Sequence, residues 1–119
     1  MEQVDGPFYH VVEPTFELLI PQWEGHDPLT QQEADATIIL PDGSRYYGTF
    51  MTPDAITAVM QRWQSTGECL SGSYFWCTDL IIIHRPGIPA IVEAVRDLID
   101  SGELSGACAI LEPENLRSG

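Results

Sequence analysis

The sequence predicts an α+β fold, a two-layer sandwich in which two helices lie on one face of a mostly antiparallel sheet. Three observations lead there. Apolar residues alternate at every second position in some stretches and recur at three- and four-residue intervals in others, so strands and helices are both written into the chain. A hairpin turn and a helix start follow one another between Thr37 and Asp54. The layout of residues 44–72 also returns in residues 79–106. Gly67-Glu68 and Leu70-Ser71-Gly72 answer to Gly102-Glu103 and Leu104-Ser105-Gly106, and self-similarity of this kind is the mark of a repeated supersecondary unit.

At 119 residues, 44% of them hydrophobic, the chain has the length of a single domain, residues 1–119, with enough apolar side chains for a core that needs no disulfide or metal. Residues 1–35 read as an irregular, short-strand N-terminal extension, 36–111 as the duplicated α/β core and 112–119 as a polar tail. In the extension Pro7, Pro14, Pro21 and Pro28 fall seven apart, each followed within two residues by Phe8, Phe16, Trp23 or Leu29. Proline fixes its own φ and biases its predecessor away from helix, so short extended pieces separated by bends are expected. Residues 8–12 and 16–20 are strand candidates. Residues 22–35 are polar and read as loop, with one helical turn at 31–34.

Residues 37–40 and 45–51 form a hairpin about Pro41-Asp42-Gly43, where proline presets the first turn position and glycine supplies a positive φ. Thr52-Pro53-Asp54 starts a helix: a threonine cap, a proline where its missing N–H costs nothing, and an acid facing the positive end of the dipole. The helix stops at Gly67. Ala55, Ile56, Val59, Met60 and Trp63 give it a stripe at helical spacing. A second helix over residues 89–101 places Ala90, Ile91, Ala94, Val95 and Leu98 thirty-five positions on, with Ile99 in addition. Between them residues 74–77 and 80–84 are β-prone, with Tyr74 and Trp76 expected in the core and Thr78-Asp79 as a turn. The unit is then strand, helix, strand, and two such units joined head to tail resemble a ferredoxin-like fold. If residues 74–84 are instead one long strand, the chain becomes a βαβαβ sheet with parallel neighbours. Residues 107–111 supply the last strand.

The charge is the second strong feature, with 18 acidic residues against five basic ones, all arginine, and a net of −13. A field of that sign repels phosphate backbones and anionic lipid, which disfavours nucleic-acid and membrane-surface roles. With no lysine, Schiff-base chemistry and a phosphate-loop lysine are excluded. The longest apolar runs fall far short of a membrane span and residues 1–5 lack a basic start, so the expected location is the cytoplasm. Cys69, Cys77 and Cys108 are an odd number without a C-x-x-C pair, which suits neither a disulfide framework nor a zinc ribbon. Cys77 and Cys108 sit in apolar runs and are expected to be buried, whereas Cys69 falls in a loop. No cofactor or metal is expected, and no nucleophile, acid pair or phosphate loop recommends an enzyme. Glu68 and Glu103, both following a helix-stopping glycine, would interest a chemist only if the fold brought them together.

Two constellations remain. Glu93, Asp97 and Asp100 follow an i, i+4, i+7 course and form an acidic ridge on the second helix, which the first helix lacks. Acids near a helix C-terminus oppose its dipole, so something besides helix stability placed Asp97 and Asp100 there. Trp23, Glu24 and Asp27, with His26 between them, mark an acidic, aromatic loop of the kind that carries binding residues. The reading is a non-enzymatic protein–protein interaction module that meets a basic partner through these residues. In size and charge the chain resembles small acidic bacterial inhibitors and immunity proteins that neutralise toxin nucleases, an analogy of composition with no motif behind it. The alternative is a small-molecule-binding regulatory domain acting as a homodimer.

Overall fold

Strand alternation across residues 8–51 gives the sheet one apolar face and one mixed face. In the computed structural model, which describes residues 8–22 and 27–111 together with the backbone of 2–5, the first five strands form an antiparallel meander: β1 (Glu2–Asp5), β2 (Phe8–Glu13), β3 (Phe16–Pro21), β4 (Glu33–Ile39) and β5 (Arg45–Met51). Val11, then Phe16, Leu18 and Ile20, then Ala34, Ala36 and Ile38, then Phe50 all point to one side and are buried. They occur at every second position, as strand geometry requires. Each large side chain buried there contributes about 1.5 to 3 kcal/mol. The residues expected as an N-terminal extension thus furnish much of the core, and the proline-flanked segments are β2 and β3. The helical turn expected at residues 31–34 is absent: Gln31 is buried in a turn, and β4 has begun by Glu33.

The hairpin expected at residues 37–51 is β4–β5, closed by Gly43 N–H donating to the Leu40 carbonyl. Asp42 accepts from the Ser44 hydroxyl and N–H, and these bonds hold its carboxyl below the usual range. Helix α1 (Pro53–Thr66) begins where the sequence places it, with the Thr52 side chain accepting from Ala55 N–H, and ends on Gly67 at φ 93°. The chain then makes α2 (Glu68–Gly72), strand β6 (Leu80–Ile82), helix α3 (Ile88–Asp100), the short turn α4 (Leu104–Ala107) and strand β7 (Ala109–Leu111). β6 runs parallel to β5 beside its C-terminal half. β7 runs antiparallel beside its N-terminal half.

Three expectations are corrected. The helices do not share a face. Phe50 belongs to the core with Ile91, Val92 and Val95 of α3, whereas its neighbour Met51 packs with Ala55 and Val59 of α1, and consecutive strand residues face opposite ways. The α3 stripe, with Ile88, Ile91, Val92 and Val95 buried, covers the apolar face. The narrower α1 stripe, with only Ala55 and Val59 buried, reaches a corner of the other face.

The duplication is likewise not a structural repeat. One crossover ends in a parallel strand and the other in an antiparallel one, so neither the ferredoxin-like arrangement nor the βαβαβ alternative describes the sheet. The echoed letters even adopt opposite hands. Cys69, Leu70 and Ser71 turn left-handed at φ 49° to 57° with Leu70 exposed, while Leu104 starts a turn and is buried.

Lastly, residues 74–77 form no strand, and Tyr74 and Trp76 are exposed and not core. Phe75 stacks on Trp63 of α1 at 5.6 Å and takes the segment's place in the apolar cluster. Thr78-Asp79 is the expected turn, with Asp79 at φ 57° and its carbonyl accepting from Thr49 N–H. No helix among the described residues is long and apolar enough to cross a membrane.

Candidate binding surface

The face of the sheet opposite α3 is composed of the alternate residues that the core leaves over. Register places them in rows. Val12, Glu17, Ile39, Arg45 and Leu111 form one row; His10, Leu19, Thr37, Tyr47 and Ala109 the next; Asp35, Thr49 and Leu80 a third. Helix α1 covers only the end of this face, where Met51 and Leu80 join Ala55 and Val59. Over the first two rows no apolar cluster forms among the described residues, and Phe8, Val12 and Leu111 stand 37 to 39% exposed.

Two polar pairs of this face are held in place. His10 Nε2 lies 2.8 Å from Glu17 Oε1, one row away on the adjacent strand. Asp35 Oδ1 accepts from the Thr49 hydroxyl at 3.0 Å. The Tyr47 hydroxyl is pushed above its ordinary pKa by burial, a push that its bond with Thr49 opposes and the neighbouring Asp35 carboxylate reinforces. Asp35 itself is exposed, so an oriented carboxylate stands among the apolar and aromatic side chains of this face. Residues 67–79 border the face where Cys77 approaches Tyr47 and Asp79 bonds to Thr49. That segment carries Leu70, Tyr74 and Trp76, exposed by 75, 49 and 64%. Beside it, the charge of a Cys69 thiolate would push the Tyr74 phenol up.

The residues singled out in the sequence are scattered by comparison. Glu93, Asp97 and Asp100 are exposed on α3, on the far side of the molecule from the open face. Glu93 is matched by Arg85 at 3.1 Å, and Arg96, rising between the acids, reaches Glu13 at 2.6 Å. Two arginines therefore interrupt the ridge. Asp27 sits in a turn, accepting from Leu29, Thr30 and Gln31 N–H groups, and this turn packs on the start of α3 through Ile88 N–H donating to the Pro28 carbonyl. Asp27 and Asp100 thus lie at opposite ends of a helix about 18 Å long by its residue rise. Trp23 and Glu24, with His26, lie outside the described residues.

Elsewhere the geometry offers little chemistry. A groove of about 300 Å³ between β6 and α3 is lined by Ile82, His84, Arg85, Ala90 and Glu93, and its charged groups already pair with one another. Glu68 and Glu103 follow helices on opposite faces and do not converge. Among the described residues no three His, Cys, Asp or Glu side chains gather as a metal site would require. Cys108 is buried as expected, and burial followed by the charge of Asp79 pushes its thiol up to about 11. Cys77, expected buried, is half-exposed like Cys69.

No family model, curated protein or solved structure matches the chain. The open sheet face was missed in the sequence because its residues, Val12, Leu19, Ile39 and Tyr47, look like any others that alternate with a core. The signal that could have found it was a count of apolar residues on both faces of each strand.

Proposed function

We propose that the protein is a non-enzymatic interaction module that binds a basic protein partner, as an inhibitor or immunity-type protein does. The observation that carries this reading is the net charge of −13 on 119 residues. Two of the five arginines, Arg85 and Arg96, are engaged with the chain's own carboxylates and offer little to an anionic partner. A nuclease toxin fits as the partner because it must present a cationic surface to hold a phosphate backbone. Long-range attraction speeds such an encounter and sets its orientation.

The test is affinity capture from the native cell at low salt, identification of the retained protein, and measurement of its association rate. A basic partner whose association rate falls about tenfold or more as salt rises from roughly 20 to 300 mM is the expected result. A neutral or acidic partner, or a rate indifferent to salt, refutes the reading. Charge reversal at Glu93, Asp97 and Asp100 is expected to slow association, as those exposed acids contribute to the field wherever contact is made.

A further inference from the structure

We infer that the docking surface is the open sheet face opposite α3, and that Asp35 is the anchor for an arginine or lysine of the basic partner. The inference rests on the basic-partner reading and names the site it uses. The face combines what interfaces need at their centre, apolar and aromatic surface, with one oriented charge. Leu19, Tyr47, Val12 and Phe8 supply the first. Asp35 supplies the second, its carboxylate positioned by the Thr49 hydroxyl before any partner arrives.

A carboxylate already held by the Thr49 hydroxyl loses less freedom on meeting a guanidinium, and its second oxygen leaves room for arginine's N–H groups. Apolar neighbours exclude water from such a contact and strengthen it. Five strands spaced about 4.8 Å apart, with some six residues each, give roughly 400 Å² of sheet, about half of what one partner usually contributes. The adjoining segment with Leu70, Tyr74 and Trp76 extends the surface.

Charge decides between occupants. Two copies of a chain at −13 repel, so the face is not kept for self-association. On the face itself Glu17, Glu33 and Asp35 outnumber Arg45, and the complement is a partner surface that is both apolar and cationic.

The test uses the full chain, isotope-labelled, and a hexapeptide alternating arginine and leucine as probe. Amide shifts are expected on Leu19, Asp35, Tyr47 and Thr49, and Asp35→Asn, which keeps the hydrogen bonds and removes the charge, is expected to weaken the peptide about tenfold. Asp35→Lys should abolish binding while thermal unfolding confirms that the variant folds. Shifts confined to Glu93, Asp97 and Asp100 would overturn the site and leave the basic-partner reading standing. Failure of the peptide to bind anywhere, or binding indifferent to salt, would overturn both. Sedimentation is expected to show a monomer. A dimer dissociated by Asp35→Lys, or an open face already protected from exchange by the chain's own terminal residues, would identify a different occupant and overturn the inference.

Discussion

Single residues decide several features of this fold, and glycine is the clearest case. Gly87 has φ 100°, and a Cβ placed on it would lie 2.4 Å from the Leu29 carbonyl oxygen. The same Gly87 donates its N–H to Gln31, tying the turn after Asp27 to the start of α3. Gly102 has φ 77° with nothing near its missing Cβ. Gly102→Ala is therefore expected to cost about 1 to 2 kcal/mol for the left-handed backbone alone. Gly87→Ala should cost clearly more, because backbone must move, and denaturant titration of the two variants measures the difference. Cys108 makes a second residue-scale statement. Its thiol is raised to about 11 in the folded protein, against about 8.5 for an exposed cysteine. The folded state therefore keeps a proton that the unfolded state loses, and stability present below pH ~8.5 declines as pH rises toward 11. Cys108→Ser is expected to flatten that decline in thermal melts. A thiol reagent should modify Cys69 and Cys77 in the native protein and reach Cys108 only on unfolding.

At the scale of elements, identical letters were read by different surroundings. Leu-Ser-Gly follows a helix-ending Gly-Glu twice, yet Leu104 enters the core and starts α4 while Leu70 stands 75% exposed in a left-handed turn. Burial is the difference. Leu104→Ala is expected to cost about 2 to 5 kcal/mol, whereas Leu70→Ala should stay within about 0.5 kcal/mol. Chemical denaturation of both variants tests this, and equal losses would mean that the two turns are structurally equivalent after all. The helices themselves were legible, since Thr52-Pro53, Gly67 and the two stripes are local signals, and α1 and α3 lie within a residue or two of their expected bounds. The segment 74–77 was not legible. Tyr74, Phe75 and Trp76 have strand propensity, but stacking of Phe75 on Trp63 turns their neighbours outward, and propensity yields to such tertiary contact.

For the whole molecule the asymmetry of the sheet matters most. Among the described residues one face is closed by α3 and the other is only cornered by α1, which leaves strand side chains that would form a second core in a fully sandwiched sheet. Large exposed apolar patches on a small protein mark interaction sites more often than accidents. On the proposed reading, the chain's net charge of −13 governs the speed of encounter and the open face the tightness of contact. Raising salt is expected to lower the association rate with little change in dissociation, while Asp35→Asn should mainly raise the dissociation rate. Stopped-flow or surface-based kinetics on the same pair separates the two.

The sequence by itself determined the local pieces: the hairpin about Asp42-Gly43, the cap at Thr52, the stop at Gly67, both helical stripes, the strands flanked by proline and the charge. It also set the expectation that phosphate backbones and anionic lipid, which a chain at −13 repels, are disfavoured partners. Only the tertiary structure decided which face each helix covers, that β7 runs antiparallel beside β5, and that Asp35, Thr49 and Tyr47 come together on the face away from α3. The reason is physical. Caps, turns and periodicity are set by neighbours within a few residues, whereas the side of a sheet that a helix occupies depends on which face has more apolar area to bury, a comparison between strands far apart in the chain.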